Sequence, residues 1–98
     1  MKVRFTLEAL THITGIHLYI ENHSSEAAVR VVERVFAEAA RLGRFPNIGH
    51  SGAVAETYEW TIPNLPYVIV YEADASQDQL VILGIFHGAR NRRSGISQ

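Results

Sequence analysis

Two stretches in the C-terminal half, Leu65–Tyr71 and Leu80–Phe86, are almost unbroken apolar runs. Runs of this length, rich in valine, isoleucine and aromatic residues and bounded by turn signals, favour strands over helices, and a strand without alternation has to be shielded over both faces. Pro66 must lie at the start of the first run, because it has no N–H to give to a ladder. The polar segment Asp74–Gln79 turns one run back towards the other. Ahead of them, Val54, Glu56, Tyr58, Trp60 and Ile62 alternate with Ala55, Thr57, Glu59 and Thr61, and Pro63-Asn64 follows as a turn. This half of the chain therefore predicts consecutive strands joined by short turns. Gly84, inside the last of them, predicts a bulge or a close backbone approach.

The N-terminal half has a different period. Val3, Phe5 and Leu7 alternate with Lys2, Arg4 and Thr6, as in a strand with one buried face. From about Glu8 to Glu21 the spacing lengthens, and Leu10, Ile13, Ile16, His17 and Ile20 recur on one helical face. Asn22–Ser25 interrupts this helix; Ser24 or Ser25 can cap the next, and Glu26 suits its positive end. There Val29, Val32, Phe36, Ala39 and Ala40 form an apolar stripe that Ala28, Val31, Val35 and Leu42 widen. Gly43 is a natural stop, and Arg44–Gly52 reads as an irregular loop. The fold class that follows is α+β, in the order β-α-α-β-β-β, with a helical hairpin packed on one face of a small, mostly antiparallel sheet. A length of 98 residues suits one domain over 1–98 with one core, residues from about 90 to 98 forming a basic tail.

Composition removes several kinds of chemistry. With no cysteine there is no thiol nucleophile, disulfide framework or thiolate zinc site. His17 falls on a helix boundary, His12, His23 and His50 on surface or loop, and none has ligand spacing to a carboxylate, so neither metal nor cofactor is expected. The alternating N-terminus lacks the apolar core of a signal peptide, and no apolar run approaches the ~18 residues of a membrane span. The expectation is a cytoplasmic protein with no membrane contact. A net charge of -1 argues against a surface that grips phosphate throughout. The basic residues are nevertheless concentrated near the C-terminus, at Arg90, Arg92 and Arg93, which is where an anionic partner would be met.

In this order the residues resemble the RelE/ParE toxin family over almost the whole chain, from Val3 to Arg92. Leu65-Pro66-Tyr67-Val68-Ile69-Val70-Tyr71, after its Pro-Asn turn, is similar to the family's central strand. Ile82-Leu83-Gly84-Ile85-Phe86-His87-Gly88-Ala89-Arg90-Asn91-Arg92 is similar to its closing strand and His-Gly-Ala-Arg ending. Ala27-Ala28 at the start of the second helix and Phe45-Pro46 after it add to the match. The resemblance implies the toxin of a type II toxin–antitoxin pair of the plasmid-stabilisation kind, neutralised by a cognate antitoxin in a hetero-oligomer. The antitoxin's C-terminal segment would be disordered alone and fold along the groove beside the hairpin. Tyr58, Trp60, Tyr67 and Tyr71 are then the aromatic positions expected to meet it, with core packing as the alternative reading at strand spacing.

The family has two activities, and the residues separate them. RelE-like members cut messenger RNA on the ribosome without a metal, which requires cationic and acid–base side chains around one phosphate. Here Tyr58 and Glu72 stand where many relatives have arginine, and Glu56 and Glu59 give the Val54–Ile62 strand an acidic character. ParE-like members bind and poison DNA gyrase, and the chain is nearer that branch, with His87, Arg90, Arg92 and Arg93 as the target-binding set. For the nuclease alternative the set would be His87, Arg90, Arg44 and Glu59, with His87 as general acid or base. His87 can equally hydrogen-bond backbone at the strand end, and the arginines can equally form a solvated terminus. A degenerate toxin retained only as a binding partner is the third possibility that the missing arginines raise.

Overall fold

Both apolar runs lie at the heart of a five-stranded sheet in the computed structural model, which describes residues 1–88. The expectations for Arg90, Arg92, Arg93 and a tail over 90–98 lie outside the described residues. In chain order the elements are β1 (Lys2–Phe5), α1 (Leu7–Glu21), α2 (Ser25–Arg44), β2 (His50–Ser51), β3 (Tyr58–Thr61), β4 (Tyr67–Asp74) and β5 (Gln79–His87). The sheet order is β1-β5-β4-β3-β2; β1 runs parallel to β5 and every other pairing is antiparallel. The mixed α+β class and the hairpin on one sheet face are as the sequence predicts, with β2 added from the segment read as loop.

Three boundaries differ, each for a local reason. Leu7 is not in the first strand, because Thr6 starts α1 by accepting the Ala9 N–H on its hydroxyl. Leu7 is left exposed. The expected strand from Val54 shortens to Tyr58–Thr61: Thr57 turns back, its N–H and hydroxyl both donating to the Val54 carbonyl, and Glu56 takes a left-handed φ of 66°. Gly43 does not stop α2, which continues to Arg44. It is glycine because a Cβ would lie 2.6 Å from Val3 Cγ2 and 2.9 Å from the Met1 carbonyl oxygen, so it sets how closely α2 approaches β1. Gly84 has both of its expected reasons. The register slips at Val70/Tyr71, leaving Leu83 as the extra residue of a bulge, and a Cβ on Gly84 would meet the Phe86 ring at 2.7 Å.

The core lies between the hairpin and one sheet face. Tyr67, Ile69 and Tyr71 of β4 share that face with Leu80, Ile82 and Ile85 of β5, beneath Ala9 and Ile13 of α1 and Val35, Ala39 and Leu42 of α2. Each fully buried leucine or isoleucine contributes roughly 1.5–3 kcal/mol. Of the two α2 stripes, the one expected to widen the face sends Ala28, Val35 and Leu42 inwards, and the other sends Ala39, while its Val29 and Phe36 are 49% and 41% exposed. Phe36 instead flanks the β1 edge, its ring centroid 5.2 Å from that of Phe5. Among the described residues the other sheet face carries no helix; Val68, Val70 and Val81 of β4 and β5 lie there, with Phe86 opposite Val68.

Candidate functional site

β4 and β5 are paired along their length, but β5 outruns β1: the ladder ends at Phe5 opposite Ile82, while β5 continues to His87. The chain turns into α1 at that point and covers the edge with side chains. Thr6 donates its N–H to the Ile82 carbonyl at 3.1 Å and its hydroxyl to the Leu83 carbonyl at 3.1 Å. The Ile85 N–H then donates to Nδ1 of His12, also at 3.1 Å. Nδ1 is the accepting nitrogen of the ring in this bond. Its ring stacks on Phe86 with centroids 4.9 Å apart. His12, expected on the surface, is thus the stitch between α1 and the last strand. Its position one residue before buried Ile13 was the available signal.

Past His12, α1 and β5 diverge around a cleft of ≈ 700 Å³. Thr11, His12, Gly15, Ile16 and Tyr19 form the helix wall; Pro66, Tyr67, Ile85, Phe86 and His87 form the floor and far rim. The Gly88 N–H donates to the Pro66 carbonyl, which sets the phase of the ladder. Phe86 and Gly88 turn their backbone groups towards β4, and Ile85 and His87 turn theirs away from it. His87 is exposed, its ring edge-on to Tyr67 with centroids 6.0 Å apart. No side chain lining the cleft among the described residues is a carboxylate, lysine or arginine.

The opposite side of the sheet is built for rigidity. Trp60 lies under α2, donating Nε1–H to Glu38 Oε1 at 2.8 Å, with the Arg41 guanidinium 5.6 Å above its ring. Arg34 reaches over to the Pro63 carbonyl at 2.8 Å. Tyr71 is fully buried; its hydroxyl donates to the Pro46 carbonyl and accepts the Gly49 N–H, which ties the loop after α2 to the sheet centre. Burial raises its pKa above the usual tyrosine value, the Gly49 N–H opposes this, and Tyr58 adds to it.

These placements sort the expected site residues. Tyr58, Trp60, Tyr67 and Tyr71 do share one face, but it is the face beneath the hairpin. Tyr71, at 0% exposure, is a core residue and not a surface for a partner; Tyr67, at 8%, belongs to the core and reaches the floor of the cleft; Trp60 is engaged by α2, and Tyr58 is the one of the four that is exposed. The described members of the nuclease set are not brought together. Arg44 ends α2 beside Gly43 and Met1, near the start of β5, and His87 ends β5, roughly 26 Å away at strand rise. Glu59 lies on the uncovered face and accepts the Ala53 N–H. That face has Lys2 and Arg4 at the β1 edge and Glu72 and Glu59 further in, around the valines of β4 and β5. Among the described residues no group of three histidine, aspartate or glutamate side chains is placed to hold a metal ion, and no helix is long and apolar enough to cross a membrane.

The comparisons agree in kind. A family model described as the ParE toxin of the type II toxin–antitoxin system parDE matches residues 3–92. A candidate toxin of Sinorhizobium fredii is 32% identical over 82 residues, covering 84% of this chain and 85% of the relative. The fold is shared with a chromosomal ParDE toxin–antitoxin system from P. aeruginosa, at a TM-score of 0.77, 18% identity and coverage of 89% and 95% of the two chains. A YoeB/ParE toxin from Agrobacterium tumefaciens matches at a TM-score of 0.62, 18% identity and coverage of 89% and 98%. The toxin–antitoxin complex RelBE2 from Mycobacterium tuberculosis matches at 0.56, 24% identity and coverage of 88% and 95%.

Proposed function

The chain belongs to the ParE toxin family of type II toxin–antitoxin systems, and from that premise we propose that it arrests growth by binding DNA gyrase in the cytoplasm, until a cognate antitoxin sequesters it. The observation that supports a binding mode over a cutting one is the separation of Arg44, Glu59 and His87, which lie on different faces and at opposite ends of β5. Metal-free cleavage of RNA needs its acid, base and cations within reach of one phosphate. Glu59 and Glu72 on the uncovered face offer a phosphodiester carboxylates in place of cations. A protein that traps another enzyme needs neither feature; it needs an accessible surface, and the α1 cleft with its apolar surroundings is one.

The antitoxin is proposed to wrap the toxin with a C-terminal segment that orders on binding, beside the hairpin where Leu10, Leu18, Val29 and Phe36 remain exposed. Sheltering that surface in a hetero-oligomer is also how a cell could store the toxin without aggregation. The deciding experiment uses one preparation of the protein in two assays. Gyrase supercoiling should be inhibited while translation in a ribosome extract continues with intact message. Translation arrest with messages cut within codons, and unaffected supercoiling, would replace this reading by the ribosome-dependent endoribonuclease; in that case His87→Ala should abolish the cutting. No effect in either assay would mark a degenerate toxin.

A further inference from the structure

Three non-glycine residues among those described have a left-handed backbone: Asn64 at φ 67°, Asp78 at φ 54° and Glu56 at φ 66°. Asparagine and aspartate tolerate this conformation well, and glutamate does not. Glu56 is the third residue of a tight turn, closed by the Thr57 N–H on the Val54 carbonyl at 3.1 Å. With a left-handed φ that position normally falls to glycine or asparagine. The turn is over-determined. The hydroxyl of Thr57, a residue only 9% exposed, donates to the same carbonyl at 2.6 Å, and the Gly52 N–H donates to the Thr57 carbonyl at 2.8 Å. The Ala53 N–H donates to Glu59 Oε2 at 3.3 Å, and a Cβ on Gly52 would run into the Thr57 hydroxyl.

What this frame holds lies outside the core. Val54 is 68% exposed between two exposed alanines, and the Glu56 carboxylate is exposed with no hydrogen bond or ion pair among the described residues. Strain that serves no internal contact gathers at recognition sites, and a side chain fixed beforehand loses less freedom on binding. The loop joins β2 to β3 at the sheet edge opposite β1, away from α1, whose main sheet partner is β5. We propose that the Ala53–Glu56 tip is a contact to the target protein, with Val54 entering an apolar socket and the Glu56 carboxylate meeting a lysine or arginine at its rim. This rests on the reading that the chain acts by binding gyrase, and it assigns part of that contact to this loop. The left-handed turn is then strain that the frame sustains and binding uses.

The test measures inhibition of gyrase supercoiling by the full chain and its variants, beside thermal unfolding and binding to the purified product of the adjacent reading frame. Val54→Asp and Glu56→Lys should each raise the concentration for half inhibition about tenfold, with Tm and affinity for the adjacent product unchanged. Glu56→Gly, which removes the strain together with the carboxylate, should leave Tm equal or raise it by a few degrees, and weaken inhibition about tenfold. Asn64→Gly, the same backbone change at another turn, should leave inhibition unchanged. Wild-type inhibition that survives Val54→Asp and Glu56→Lys would overturn the loop as a contact and leave the gyrase reading standing. No inhibition by the wild type would remove both. A fall in Tm for Glu56→Gly would show that the fold itself needs the glutamate, and would refute the proposal. Loss of binding to the adjacent product with inhibition intact would give the loop to the antitoxin instead, which also refutes it.

Discussion

The two sides of this sheet treat their polar groups in opposite ways. Where α2 crosses β3 and β4, the indole of Trp60, the carboxylate of Glu38, the guanidinium groups of Arg34 and Arg41 and the hydroxyl of Tyr71 are all engaged within the chain. Where α1 leaves β5, the helix glycine Gly15 has nothing within 4 Å of an added Cβ, a histidine ring stands exposed and β5 outruns β1. Stability is concentrated under the longer helix and availability under the shorter one. A small toxin that must fold alone and yet bind tightly has reason to separate the two, since groups satisfied internally are not free to recognise a partner.

The contrast can be broken by substitutions on either side, and their sizes should differ in a fixed order. Tyr71→Ala, which empties the sheet centre and releases the loop held through Pro46 and Gly49, should cost about 3–5 kcal/mol in denaturant unfolding. A loss below about 1 kcal/mol would mean that the loop, and not the ring, fills the core. Trp60→Phe keeps the aromatic packing but removes the indole N–H from Glu38, whose side chain is only 12% exposed and keeps the Arg41 guanidinium at 3.9 Å, and should cost about 1 kcal/mol. Tyr71→Phe should cost about 1 kcal/mol at neutral pH. It also carries a pH signature. The folded chain holds the Tyr71 proton more tightly than the unfolded chain does, because burial raises its pKa above the ordinary tyrosine value. Stability from this group is therefore complete below that value and declines as pH rises through the folded pKa. Tyr71→Phe should flatten this alkaline decline, and an unchanged slope would place its origin elsewhere. At the cleft, His87→Ala should change stability by no more than about 0.5 kcal/mol. A larger loss would make His87 part of the framework and erase the distinction between the two sides.

Much of the architecture was legible because period and punctuation carry it. The unbroken runs at Leu65–Tyr71 and Leu80–Phe86 become central strands, and Ser24 does cap α2 through the Ala27 N–H. What the residues could not reveal is which side of a shared face a partner finds vacant. Tyr58, Trp60, Tyr67 and Tyr71 alternate identically whether they look towards solvent or towards a hairpin, and here the hairpin is above them. The α2 stripes differ by one helical step, so Phe36 and Val35 were equal candidates until the approach of Gly43 to Val3 set the rotation of the helix. The cleft was least legible, because it depends on β5 being longer than β1 and on His12 reaching an edge amide from distant sequence. Gly15 gave a hint, as an unexplained glycine inside an otherwise regular helix.

Hydrogen exchange on the complex with the adjacent gene product, compared with the free chain, tests the division between the two sides most directly. The expected result is new protection over residues 11–19, with exchange over β3 unchanged. New protection over β3 and its α2 partners, with the cleft residues exchanging as before, would contradict it.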